Sequence, residues 1–117
     1  MNLYDCFMYF DEDLLLDLRL NSLSKFVKKF IITEATYTHN GSKKELKFDI
    51  GKFQKFKDKI VYIVVDKQPE NILELVEGET KDQRAEKLIL NGMARDYFQR
   101  ENLNRGLTDA SNEDIIL

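Results

Sequence analysis

Ile60-Val61-Tyr62-Ile63-Val64-Val65 is an unbroken apolar run of strand length in a chain of 117 residues. A strand with one face in water alternates polar and apolar residues. This one is apolar on both faces, as a central strand of a parallel sheet should be. Parallel strands are joined by crossovers, so helical segments are expected between this strand and its neighbours.

Upstream, Leu3–Phe10 (LYDCFMYF) is short and aromatic-rich and reads as a first strand. DEDLLLDLRLNSL follows. Asp11 or Asp13 is placed to cap a helix, with Leu14, Leu15, Leu18 and Leu16, Leu20, Leu23 recurring at helical spacing over a wide face. The second half of Phe26–Thr33 (FVKKFIIT) reads as a second strand, and Asn40-Gly41 marks a turn in the polar loop EATYTHNGSKKE. Phe53 and Phe56, three apart between lysines, suit a short helix.

Downstream, Pro69 is placed to open a short helix through Leu75, with Gly78 closing it. A long helix is expected from about Lys81 to Asn104, its buried face marked by Ala85, Leu88, Ile89, Met93 and Tyr97. Gly106 fits its stop, and the terminal Ile115-Ile116-Leu117 opens a fourth strand. Strands alternate with helices and no hairpin turn joins two strands directly. The expected fold is α/β, a mostly parallel sheet with flanking helices.

The net charge of −3 gives no global field towards nucleic acid or an anionic membrane, so neither partner is expected. Cys6 is the only cysteine, which rules out an internal disulfide and a cysteine-based metal site and points to a reducing compartment. The acidic N-terminus lacks the basic flank of a signal peptide, and no apolar run approaches membrane-spanning length. A cytoplasmic location is the expectation.

Ligands of open α/β sheets bind beyond the carboxyl ends of the strands, which directs attention to Asp11–Asp13, Glu34–Thr36 and Asp66. Asp11-Glu12-Asp13 has a D-x-D form suited to Mg²⁺ or Mn²⁺ beside a diphosphate, but an acidic helix start is the stronger reading. Glu34 is placed either to accept hydrogen bonds from a sugar or base, or to pair with Lys43 or Lys44. Lysines interleaved with Phe48, Phe53 and Phe56 read first as an amphipathic helix and only second as a nucleic-acid face. His39 has no histidine partner, and no P-loop or G-x-G-x-x-G pattern is present. Arg95, Arg100 and Arg105 can grip phosphate oxygens bidentately, or pair with Asp96 and Glu101.

Taken together, YDCFMYFDEDLLLDLRLNSL, VKKFIITEATYTHNGSKKELKF, KIVYIVVD, ARDYFQRENLNRGL and EDIIL resemble the family 17 glycosyltransferases and stand in the family's order. Lys67–Asn91 departs from the pattern. The resemblance implies a nucleotide-sugar transferase of GT-A type. Residues 1–117 would be a single donor-binding domain, the Rossmann-like N-terminal half of that fold. The donor would be a UDP-sugar, UDP-GlcNAc, and the acceptor an N-glycan. Donor-side candidates implied by position are Tyr4–Phe10, Glu34, Ala35, Thr36, Asp66, Arg95, Gln99 and Arg100, the arginines facing the diphosphate and Glu34 or Asp66 the uracil or ribose. In the family, the strand matching EDIIL runs into an acidic segment that holds the divalent cation, Mn²⁺ or Mg²⁺. Metal ligands are therefore expected just after Leu117, and Leu117 is expected to be a truncation point, with a missing C-terminal half carrying the acceptor site. The alternative is a non-catalytic interaction module that pairs through its open sheet edge.

Overall fold

The computed structural model describes residues 2–108, 110, 111 and 113–117. Strands β1 (Leu3–Met8), β2 (Lys29–Ala35), β3 (Ile60–Val65) and β4 (Ile115–Ile116) form one sheet in the order β3-β2-β1-β4. Every pairing is parallel, with Ile31 of β2 registered on Cys6 of β1 and on Val61 of β3. The α/β expectation holds, as a Rossmann-like sheet with flanking helices.

Alternation along β2 divides the core. Phe30 and Ile32 face helix α1 (Asp13–Leu23) and the 3₁₀ segment Ile50–Lys59, packing with Tyr9, Leu16, Leu20, Val27, Phe53 and Phe56. Ile31 faces the other way and packs with Tyr4, Ile63, Leu103 and Leu107. The phenylalanines of the lysine-rich stretch thus belong to the core. Phe53 and Phe56 are buried and Phe48 stacks on Tyr62 at 4.6 Å, while Lys43, Lys47, Lys52, Lys55 and Lys57 are exposed.

β3 is an edge strand of this sheet, not the central one its composition suggests. Ile60 and Tyr62 pack into the first cluster, Val61 and Ile63 into the second. Apolarity on both faces reports that both faces are covered, which an edge strand between two layers also satisfies.

Helix α1 starts without the expected cap. Glu12 holds the cap position but makes no side-chain bond into the helix, and Asp13 instead accepts from the Tyr9 hydroxyl and from Lys52 Nζ at 3.0 Å. Of its leucines only Leu16 and Leu20 are buried, while Leu14, Leu15 and Leu18 are exposed. The helix expected from Pro69 to Leu75 is absent, because local backbone groups are committed elsewhere. Leu73 N–H donates to Asn91 Oδ1 at 2.7 Å, and Leu73 O accepts from Asn91 Nδ2 at 2.9 Å.

Helix α2 (Lys81–Glu101) opens with a capping box between Thr80 and Gln83 and passes into a 3₁₀ turn, Asn102–Gly106. An added Cβ on Gly106 would lie 2.6 Å from Ile31 Cγ2, so glycine lets this turn lie against the sheet. The burial of α2 reverses the expectation from its apolar spacing. Leu88, Ile89, Met93 and Tyr97 are 51, 64, 63 and 65% exposed and Ala85 is exposed too, whereas Asn91, Arg95 and Gln99 are buried. Gln99 meets Thr33, two residues before the end of β2, and the helix runs back from there past the sheet. Lys81 to Gln99 spans about 27 Å at the α-helical rise. Most of α2 therefore overhangs the carboxyl edge, and the molecule is elongated, 56 × 32 × 20 Å. What its inner face meets there is backbone carbonyl, which requires donors.

Candidate functional site

The strand order reverses between β1 and β4. From β1 the chain builds outward to β2 and β3, then returns to the other side for β4. In doubly wound sheets the loops beyond such a reversal part and leave a crevice at the carboxyl ends. The residues leaving β1 line it. Tyr9 is fully buried, its hydroxyl bound to Asp13, and burial together with that bond raises its pKa. Phe10 is part-exposed, and Asp11 has φ 69°, in the left-handed region. Glu12 folds back to accept from Phe10 N–H at 2.9 Å. Asp11-Glu12-Asp13 is thus a turn that launches α1. Among the described residues no three histidine, cysteine, aspartate or glutamate side chains group closely enough to hold a metal ion.

Glu34 lies inside β2 on the α1 side of the sheet, fully buried. Oε2 accepts from Lys44 Nζ at 2.6 Å and Lys47 N–H at 2.7 Å, and Oε1 from Phe48 N–H at 3.0 Å and the Tyr62 hydroxyl at 2.7 Å. Burial pushes its pKa up, but these four bonds outweigh burial and leave the carboxyl below its ordinary value. Glu34 thereby ties the segment after β2 to β3. The alternative of pairing with Lys44 is what the structure contains.

Arg95 and Gln99 lie on the opposite side of β2, one helical turn apart. Arg95 is 9% exposed; Nε donates to Gln68 Oε1 at 2.7 Å and Nη1 to His39 O at 2.9 Å. An added Cβ on Gly41, whose φ is 90°, would fall 2.7 Å from Arg95 Nη2, so that turn requires glycine twice over. Gln99 Nε2 donates to Thr33 O at 3.2 Å, and the Thr33 hydroxyl returns a long bond to Gln99 O. Asn91, Arg95 and Gln99 form a polar row four residues apart that fastens α2 to three stretches of backbone. No sequence reading singled out Asn91; its spacing to the other two is the signal that would have found it.

Arg100 stands apart from that row. It is exposed and pairs with Asp96, Nε to Oδ2 at 3.0 Å. The same carboxylate presents Oδ1 to His39 Nε2 at 3.6 Å, beyond hydrogen-bond reach, and the imidazole lies edge-on to Phe10 with centroids 5.1 Å apart. Phe10, His39, Asp96 and Arg100 therefore form a continuous surface beside the end of β1. Thr36 and Asp66 sit at the ends of β2 and β3, one and two strands from the reversal. Asp66 borders a cleft of about 290 Å³ with Phe98, Asn102 and Arg105. Of the six expected donor residues, Arg100 is the one joined, through Asp96 and His39, to the surface beside the end of β1. Glu34, Arg95 and Gln99 are buried behind it, and Thr36 and Asp66 lie to one side.

Cys6 supplies no ready nucleophile: burial first, then the nearby Asp5 charge, pushes its thiol up to about 11. Asp5 itself is buried and held by Arg19, Nε to Oδ2 at 2.6 Å and Nη2 to Oδ1 at 2.5 Å, with the guanidinium over the Phe7 ring.

A comparison with protein families gives a match to glycosyltransferase family 17 over residues 1–99. Searches of curated proteins and of solved structures give no match.

Proposed function

The chain belongs to glycosyltransferase family 17, and from that premise we propose that it binds a nucleotide-sugar donor across the carboxyl ends of β1 and β4. The observation that carries this reading is the reversal of strand order between those strands. In this proposal the fold is the donor-side half of a GT-A-type enzyme that moves a sugar, N-acetylglucosamine, from a UDP donor to a glycan acceptor. An acceptor hydroxyl attacks the anomeric carbon, its proton passing to a base outside the described residues. The bond from that carbon to the diphosphate breaks, and the diphosphate leaves with the electron pair.

Arg100 is the residue best placed to meet the departing charge, since its guanidinium is exposed and, among the described residues, is held by Asp96. Phe10 offers a ring beside the crevice, and Thr36 and Asp66 are proposed for the ribose or base along the adjoining strand ends. Glu34, Arg95 and Gln99 act as positioning residues, holding the loop after β2 and the helix that carries Arg100. In this proposal a divalent cation, Mn²⁺ or Mg²⁺, would be held by acids outside the described residues and would supply charge neutralisation at the diphosphate. A reducing, cytoplasmic setting suits the single free thiol of Cys6. No helix among the described residues is long and apolar enough to cross a membrane.

The test is titration of the chain with UDP and UDP-GlcNAc, with and without Mn²⁺, against Arg100→Ala. Loss of one charged hydrogen bond predicts about tenfold weaker binding. Equal affinities would remove Arg100 from the donor site, and failure of the parent to bind either nucleotide would sink the donor reading for this segment. A second reading, a non-catalytic module that pairs through the open edge of β4, draws on the exposure of Ile115, Ile116 and Leu117.

A further inference from the structure

The net charge of −3 conceals a division. Residues 25–59 carry ten lysines against four acids, and the rest of the chain carries eight cations against 17 acids. The fold gathers part of that excess in one place. Lys25 and Lys28 lie in the turn that leads into β2, and Lys55, Lys57 and Lys59 end the 3₁₀ segment that leads into β3. β2 and β3 are parallel neighbours, so both approaches stand at the amino edge of the sheet, opposite the crevice. Lys59 joins them, its Nζ donating to Ser24 O and, at 3.1 Å, to Val27 O. Between them Ser24, Lys55, Phe56, Asp58 and Lys59 line a hollow of about 300 Å³.

We propose that this amino edge docks on an anionic lipid surface, with Phe26 entering the headgroup layer and Lys25, Lys28, Lys55 and Lys57 meeting the lipid phosphates and carboxylates. The proposal goes beyond the transferase reading, which uses the carboxyl edge.

Three observations carry it. The first is uncompensated charge. Among the described residues none of these four lysines has a carboxylate within ion-pair distance, whereas Lys44, Lys47, Lys52 and Lys87 each have one. The acids nearby are Asp58, exposed in the hollow, and Asp114 near Lys28, whose carboxylate already accepts from Asn2 N–H and Ser111 N–H. The second is Phe26, which is 66% exposed while Val27 beside it is buried. Phe26 N–H and Val27 N–H both donate to Leu23 O, at 2.9 and 3.1 Å, and Lys59 holds the Val27 carbonyl, so the turn keeps the ring outside the core. The third is the combination. At a lipid interface an aromatic ring sits at headgroup level, and lysines lay their apolar stems beside it and keep their ammonium groups among the phosphates. Clusters of about four to eight cations are enough to hold to an anionic leaflet. A nucleic-acid strand calls instead for successive stacking rings, and Phe53 and Phe56, which would extend such a platform, are buried. The acids of α2 overhang the opposite edge, and at physiological salt charge is screened over about 8 Å, so they weigh little here.

The full chain would be sedimented with vesicles of phosphatidylcholine alone and of equal parts phosphatidylcholine and phosphatidylserine. Lys25→Gln/Lys28→Gln and Phe26→Ser would be run in parallel, with Lys67→Gln/Lys81→Gln as a charge-matched control. All five substituted side chains are exposed, and far-UV circular dichroism checks that the fold is kept. The proposal predicts binding to the mixed vesicles that weakens as salt rises. It predicts a loss of about 30-fold in Lys25→Gln/Lys28→Gln, at about fivefold per lysine. Phe26→Ser should bind about tenfold more weakly, and the control should stay close to the parent. A parent chain that remains in the supernatant, that binds both vesicle compositions equally, or that loses as much in the control as in Lys25→Gln/Lys28→Gln overturns the proposal. Tighter, lysine-dependent binding to polyuridylate than to the mixed vesicles gives the face to nucleic acid and overturns it too. Titration with UDP reads the carboxyl edge, so failure here leaves the donor reading standing, and failure there leaves this one.

Discussion

Replacing Glu34 by glutamine changes one atom and removes one charge from the most heavily bonded side chain of the site. In the parent, each carboxylate oxygen accepts twice, from Lys44 and the Lys47 amide on one side and from the Phe48 amide and Tyr62 on the other. Glutamine keeps one carbonyl oxygen and turns an NH₂ towards two donors, so two bonds are lost and two buried donors face a third. Lys44 retains Ala35 O at 3.3 Å and Glu45 O at 3.1 Å, which softens the loss. Bonds to a charged group contribute about 1.5–3 kcal/mol each, and breaking a buried pair costs about 3–5 kcal/mol. The expected destabilisation is therefore about 3–4 kcal/mol, a large part of the roughly 5–15 kcal/mol of a domain. For a chain of this size, that lowers the midpoint of thermal unfolding by roughly 10–20 °C.

The acid limb carries a second signature. The Glu34 pKa is lowered in the folded state, so the unfolded chain binds the extra proton first. Its contribution is complete above the unfolded value of about 4.3 and is lost as pH falls through the folded value. Denaturant unfolding at pH 7 and again between pH 5 and 3 should show the gap between parent and Glu34→Gln narrowing as pH drops. A loss below about 1 kcal/mol at pH 7, or a gap that stays constant down to pH 3, would refute the buried, four-bonded carboxylate.

Gly106→Ala forces a methyl group against Ile31 and should lower stability by about 1–3 kcal/mol, read by thermal melting. Thr80→Ala removes the bond that Thr80 Oγ1 accepts from Gln83 N–H at 3.1 Å and leaves the return bond from the backbone N–H of residue 80 to Gln83 Oε1 at 2.9 Å. It should cost about 1 kcal/mol locally, seen as faster hydrogen exchange at residues 81–84 with the melting temperature nearly unchanged, because this end of α2 does not rest on the sheet.

The order of elements was legible because strands and turns are written in local composition. Ile60–Val65 is a strand to the residue, and the terminal isoleucines form the expected fourth strand, which the structure pairs with β1. Position within the sheet was not legible, since the residues of β3 record coverage by two layers and not the presence of neighbours on both sides. The inner face of α2 was misread for a related reason. Hydrophobic spacing assumes that a helix packs on side chains, and Leu88, Ile89, Met93 and Tyr97 satisfy that assumption. This helix instead crosses backbone carbonyls at Leu73, His39 and Thr33, and Asn91, Arg95 and Gln99 are the side chains that satisfy them. For the site, residue types were readable but not their company. Arg100 was recognisable as a phosphate fork, while the approach of His39 to Asp96 joins positions 57 residues apart and has no local trace.

The overhang of α2 makes it a lever. Its fulcrum is the row of clamps at Asn91, Arg95 and Gln99, and its far end at Lys81 lies about 15 Å from Asn91 at the helical rise. A tilt of about 5° at the fulcrum swings that end by roughly 1 Å over this length. The angle of α2 over the strand ends is thus set by a few hydrogen bonds at its base, and anything that leans on the far end strains those bonds without touching them.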